Sequence, residues 1–253
     1  MDFTINTHEQ LIKALVDSGY SFVTVNNCYV TDKPKVAVLR HDVEARYENA
    51  LEFAKIQHKY GIKGTYYFRI LDKCFKPDIV KEIAAMGHEA GYHYDDLAKC
   101  KGDLNCAIKR FEKNLKLLND ITPIRTICMD GSPLSKYDNK ELWKKYNYKD
   151  FGIESEPYFD IDFKDILYLT DTGRMWDGDK FSVRDKVESS LNGISFHSTN
   201  DIINAAKENR LPAKIMFTFH PQRWNDKALP WVKELVWQRL KNIGKGVLVG
   251  IRK

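Results

Sequence analysis

The chain has 253 residues, 43% hydrophobic and 30% charged, which supplies a large core and excludes a disordered polymer. Its net charge of +5 arises from 40 Lys and Arg interspersed with 35 Asp and Glu; without a basic stripe no nucleic-acid partner is expected, while an anionic small substrate is compatible. The opening MDFTINTHEQ lacks the cations and apolar run of a secretory leader, no segment nears the ~18 apolar residues of a membrane span, and the five cysteines form no C-x-x-C pair, so a cytoplasmic protein with reduced thiols is expected.

Residues 1–34 read as an N-terminal appendage, with Thr7 or His8 capping a helix through Leu11, Leu15 and Val16. From Lys35 onward, short apolar runs alternate with amphipathic segments, the pattern of repeated βα units around a largely parallel sheet. The first strand, Val36 to Leu39, runs straight into Arg40, His41 and Asp42, and a helix with Tyr47, Ala50, Leu51 and Ala54 on one face follows, to Gly61. A second strand is predicted from Gly64 to Ile70, then a short helix from Pro77 to Gly87 and a third strand from Glu89 to Tyr94. A long helix places Leu104, Ala107, Ile108, Phe111, Leu115 and Leu118 together, ahead of a fourth strand, Ile124 to Met129. Further strands with turns at Asp160 and Asp171 are expected between Gly152 and Gly173. Ser198 or Thr199 caps a helix, Lys214 to Phe219 forms the last strand, and Leu229, Val232, Leu235, Val236 and Leu240 mark a final helix. With no linker or repeat, residues 1–253 read as a single α/β domain.

In parallel α/β folds ligands bind where the strands end, because the loops there share one crevice. The polar residues at those ends are His41, Asp42 and Glu44, then Arg69, then His93, Asp95 and Asp96, then Asp130 and finally His220. Asp42 and His93 suit a divalent metal, and Asp96, three residues beyond His93, supplies a third oxygen if the chain turns helical there. The bland reading of that His-x-x-Asp pair is a helix cap. His220, turned out of its strand by Pro221, suits a general acid, or else packs against a loop carbonyl. Arg223 and Trp224 could grip or stack on a sugar, or cover the last helix. His88 starts a strand rather than ending one and reads as structural, as does His197 near a helix cap. Asp171, Arg174, Trp176 and Asp177 read as a polar loop that could cap the crevice, although turn chemistry alone explains its Asp and Gly content.

Together the segments RHDVE, GTYYF, GHEAGYHYDD and FTFHPQRW resemble the NodB-homology polysaccharide deacetylases, in their cytoplasmic RHDV-type branch, from Val36 to Trp224. The resemblance implies a distorted (β/α) barrel and metal-assisted removal of acetyl groups from sugars. It makes His41 the catalytic base and His220 the general acid. Asp42 and His93 become ligands of a divalent metal, zinc by preference, with Asp96, or else His41 or Glu44, completing the shell; Glu44, Arg69, Asp130, Arg223 and Trp224 are expected as substrate contacts. The implied partner is an acetylated sugar, nucleotide- or lipid-linked. Three positions depart from the family pattern. His41 stands where the base is an aspartate, Leu97 where the second metal histidine belongs, and GSPLS from Gly131 to Ser135 replaces the family's Arg-Pro segment. These losses leave room for a second reading, a metal-free relative that binds saccharide or hydrolyses another amide.

Overall fold

A computed structural model describes residues 1–28, 31–177, 184, 185, 187–191 and 193–251, with side chains through 244. Among the described residues seven strands form one sheet, and the pairings between them are parallel. They are β1 (Ser21–Val23), β2 (Val36–Val43), β3 (Thr65–Phe68), β4 (Glu89–Tyr94), β5 (Ile127–Met129), β6 (Leu167–Thr170) and β7 (Lys214–Phe219). The order β5-β4-β3-β2-β7-β6 puts β2 at the centre, and helices on the outside make it a distorted (β/α) barrel that is not closed by pairing between β5 and β6.

The helices are α1 (Ile5–Asp17), α2 (Tyr47–Lys59), α3 (Pro77–Ala85), α4 (Asp96–Lys99), α5 (Leu104–Asn119), α6 (Pro157–Asp160), α7 (Thr199–Lys207) and α8 (Ala228–Ile251). Thr4, not Thr7 or His8, caps α1; Thr7 and His8 lie inside the helix and are buried, with His8 stacked on Phe53 at 3.6 Å. Ser198 caps α7 in a reciprocal box with Asp201, satisfying donors the helix leaves open. The N-terminal segment does more than pack. β1 lies beside Val36–Val38 of β2, on the side where β3 takes over from Arg40 onward, and Leu11, Ile12 and Leu15 join the main core.

Alternation along the strands sorts the core into two layers. Ala37, Leu39 and Val43 of β2 pack with Phe53, Ile83, Phe111 and the other helix-facing residues. Val36 and Val38 point the other way, into the barrel, where they meet Tyr67, Cys128 and Met216. Arg40 and Asp42 share the inward parity and lie beyond this small apolar floor. Gly91 on β4 leaves the space that Tyr67 fills, since a Cβ there would come within 2.4 Å of the Tyr67 ring.

The final helix seats itself unexpectedly. Leu229, Val232, Val236, Leu240 and Ile243 are exposed, whereas Glu234, Gln238 and Asn242 are buried against the body, Asn242 donating to the Gly173 carbonyl at 3.0 Å. The apolar spacing that marks the helix is therefore not the face that packs. Cysteine chemistry also departs from expectation, because Cys100 and Cys106 are joined in a disulfide across the α4–α5 turn, while Cys74 and Cys128 are free. Among the described residues no helix is long and apolar enough to cross a membrane.

Candidate active site

The inward side chains at the carboxyl ends of β2, β4 and β7 converge with the loops after β2, β5 and β6 on a cavity of about 60 Å³. Its walls include Asp42, Glu44, His93, His220 and Arg223. His93 is buried, and its Nδ1 lies 2.9 Å from the Cys128 carbonyl, which fixes Nδ1 as the donor and leaves the Nε2 lone pair for the cavity. That Nε2 stands 3.7 Å from Asp42 Oδ2 and 3.8 Å from Asp130 Oδ2. Glu44, His93 and Asp130 each present one donor atom within 4.8 Å of the others, a spacing and chemistry that fit a divalent cation.

Each carboxylate has a partner that holds it. Asp42 takes two hydrogen bonds from Arg40, from Nε at 2.9 Å and Nη2 at 2.7 Å. Burial pushes the Asp42 carboxyl up, but Arg40 and then His93 outweigh it and keep it below the ordinary range. Asp130 accepts from the Ser132 backbone and hydroxyl, and Arg69 Nη1 approaches it at 3.2 Å while binding Asp95 at 2.5 Å. For Glu44 burial again raises the pKa, and His220 and Arg223 drive it down well below the usual value. Gln222 donates to Glu44 Oε2 at 3.1 Å, and Glu44 Oε1 lies 3.9 Å from His220 Nε2.

His220 stands opposite, and Asp171 holds it. Asp171 Oδ1 lies 2.6 Å from His220 Nδ1, and Oδ2 accepts from the His220 backbone N–H at 3.0 Å and from Trp224 Nε1 at 2.6 Å. Arg223 donates to the same carboxylate at 2.9 Å. Burial raises the Asp171 carboxyl, yet His220 and Arg223 bring it below its ordinary value, so it stays anionic. Asp171 directly follows β6, one of the strands expected between Gly152 and Gly173 without a defined register, so from sequence it reads as a turn residue rather than a strand-end ligand. Arg40, Tyr158, Arg184 and Asp185 also line the cavity and are not among the expected site residues.

Three expected site residues are elsewhere. His41 has the outward parity of Leu39 and Val43, so its ring stacks on Tyr66 at 4.0 Å, with Nδ1 bonded to the Thr65 carbonyl and Nε2 2.8 Å from the Gln57 amide. Burial lowers its pKa to about 3, and it cannot reach the cavity as a base. Asp96 likewise faces the helices. Tyr92, Arg110 and Asn114 surround its carboxylate, and Asp130 from the β5 loop stands in the position that Asp96 was expected to fill. Trp224 is fully buried among Phe3, Phe53 and Phe219 and offers no platform for a sugar. Arg69 and Arg223 border the site but are committed to carboxylates.

No protein-family profile and no curated protein matches this sequence. Solved structures with a similar course of the chain include a CE4 family pseudoenzyme from Bacillus anthracis, at TM-score 0.46 and 13% identity over 85% of this chain and 63% of that one. A polysaccharide deacetylase from Bacillus cereus aligns at TM-score 0.43 and 16% identity over 83% and 89% of the two chains. A family 4 carbohydrate esterase from Streptomyces lividans, in complex with acetate, aligns at 0.42 and 14% over 84% and 90%. This chain spans less than two-thirds of the length of the first of these.

Proposed function

We propose that this protein is a carbohydrate deacetylase, a hydrolase that releases acetate from an acetylated sugar or glycan precursor with the help of a divalent metal, zinc by preference. The observation that carries the reading is the opposition of two differently prepared imidazoles. His93 turns a lone pair toward carboxylates, and His220, fixed by Asp171 at 2.6 Å, faces the same cavity. His93, Asp130 and Glu44 would hold the ion, with Asp42 beside them. Bound there, a divalent cation supplies Lewis-acid polarisation of the acetyl carbonyl and a more acidic water.

The chain's own residues supply the proton traffic. With Nδ1–H committed to Asp171, neutral His220 presents Nε2 as a base, which takes the proton of the attacking water as its oxygen bonds to the carbonyl carbon. Asp171 stabilises the resulting imidazolium, as the buried carboxylate does in a Ser-His-Asp triad. The same Nε2–H then protonates the leaving nitrogen as the C–N bond breaks, giving acetate and a free amine. One imidazole thus performs both roles that were expected to be divided between His41 and His220. The cavity of about 60 Å³ has room for a small acyl group.

One observation favours the second reading, a degenerate protein that binds saccharide without metal. Arg40 occupies both oxygens of Asp42, neutralising the acid that the family resemblance assigns to the ion. The deciding experiment is acetate release from N-acetylglucosamine oligomers and acetylated nucleotide sugars, with the chain stripped by chelator and then reloaded with zinc. Metal-restored turnover that is lost in His220→Ala supports the deacetylase. Saccharide binding with no turnover under any metal would establish the degenerate reading instead.

A further inference from the structure

A groove of about 780 Å³ leads away from the site, between the strand-end loops and α8. Glu44, Ser132, Pro133 and Arg223 line both spaces, so a ligand whose acetyl group enters the cavity extends naturally into the groove. The volume lies within the ~300–1,000 Å³ of small-molecule sites. Its charges are arranged by position. The carboxylates Glu44 and Asp130 stand at the inner end, while Glu234, the acid on the outer wall, is approached by Arg46 at 3.7 Å. The arginines are already engaged, Arg69 by Asp95 and Asp130 and Arg223 by Asp171.

Three lysines along the groove are placed differently. Lys73 follows β3, Lys99 ends α4 and Lys241 projects from α8; all three are exposed, and among the described residues none forms an ion pair with a carboxylate. Lys241 lies 5.1 Å from the ring of Trp237, which is 54% exposed in the same wall. Six cations against three carboxylates in the groove wall, beside an open aromatic face, suit a ligand that brings several negative charges. Lysine ammonium groups on separate elements match the diffuse charge of a phosphate, which a point charge satisfies from any direction.

We propose that this groove binds the phosphate or diphosphate of an acetylated sugar held on a nucleoside or lipid carrier, with Lys73, Lys99 and Lys241 as its cationic contacts and Trp237 as the surface on which the carrier lies. The inference rests on the deacetylase reading of the adjoining cavity for the sugar. For the anion it rests on the groove alone.

Binding of inorganic pyrophosphate to the full chain, measured by calorimetry, tests it without requiring turnover. Wild type and His93→Ala should bind alike, which separates the groove from capture by a metal at His93. The triple variant Lys73→Gln, Lys99→Gln, Lys241→Gln should bind roughly tenfold more weakly. Because these side chains are exposed, the variant should keep its fold, verified by circular dichroism. Competition by uridine diphosphate or by farnesyl diphosphate, whichever is tighter than pyrophosphate, identifies the carrier. Absence of pyrophosphate binding, or binding that survives in the triple variant and vanishes in His93→Ala, overturns the proposal. Pyrophosphate binding without deacetylation of any sugar would remove the deacetylase reading and leave the anion site standing. Turnover of neutral N-acetylglucosamine oligomers by a chain that ignores pyrophosphate would do the reverse.

Discussion

Asp171 and His220 end the neighbouring strands β6 and β7, and a 2.6 Å hydrogen bond ties the carboxylate to Nδ1 of the ring. Asp171 also accepts from Trp224 and Arg223, so four donors share its two oxygens. Asp171→Asn keeps the shape but removes the charge that stabilises protonated His220. In acetate-release assays kcat should fall by roughly 10²–10⁴-fold with little change in KM. An unchanged kcat would mean that His220 works without this partner.

Elemental analysis separates the two possible sets of metal ligands. Wild type should carry about one equivalent of zinc or another divalent ion after reconstitution. His93→Ala should lose it, and Asp130→Asn should weaken it by roughly ten- to a hundredfold in affinity. Asp96→Asn should retain it, because Asp96 is enclosed by Tyr92, Arg110 and Asn114 on the helix side. Loss of metal in Asp96→Asn with retention in Asp130→Asn would restore the arrangement read from the sequence.

Buried neutral histidines make the fold acid-sensitive. His88 accepts from the Gly64 N–H and bonds through Nε2 to the Ala54 carbonyl, and burial lowers its pKa to about 4; His41 is lowered to about 3. The unfolded chain binds protons at these rings near pH 6.5, so stability is complete above that value and declines as pH falls toward 4. For His88 the loss is roughly 3 kcal/mol across that window. Urea midpoints measured from pH 7 to pH 4 should fall, and His88→Gln should make the decline shallower. A flat profile would show that these rings are not protected from protonation.

Thiol titration tests the Cys100–Cys106 bridge. The denatured, unreduced chain should show at least two fewer reactive thiols than the five it shows after reduction. The bridge closes a short loop between α4 and α5, so Cys106→Ser should cost about 2 kcal/mol in urea unfolding. Five thiols without reductant would show that the pair is reduced in the isolated protein and would agree with the cytoplasmic expectation.

Much of the fold was written in local pattern. The runs at β2, β4 and β7 and the amphipathic stretches of α2, α3 and α5 announce themselves, because a buried strand needs continuous apolar residues and a covering helix needs one apolar face. Less legible were β6 and α6, which are short and lie among Asp, Tyr and Lys, so that neither period has length to show itself. With a strand expected here but its register undefined, Asp171 passed as a turn residue. The exposed stripe of α8 had the same spacing as a buried one, and periodicity does not say which side a neighbour occupies.

By itself, the sequence determined that strands end in Asp42, His93 and His220, since the residues that follow a buried strand must lie at its rim. Only the tertiary structure decided which of the rim residues meet. Alternation sends adjacent side chains to opposite faces, so His41 went to the helices while Asp42 and Glu44 went to the cavity, and a fully buried strand does not disclose its parity. Asp130 and Asp171 joined them from strands that are distant in the chain and close in the sheet, a proximity set by the β5-β4-β3-β2-β7-β6 order.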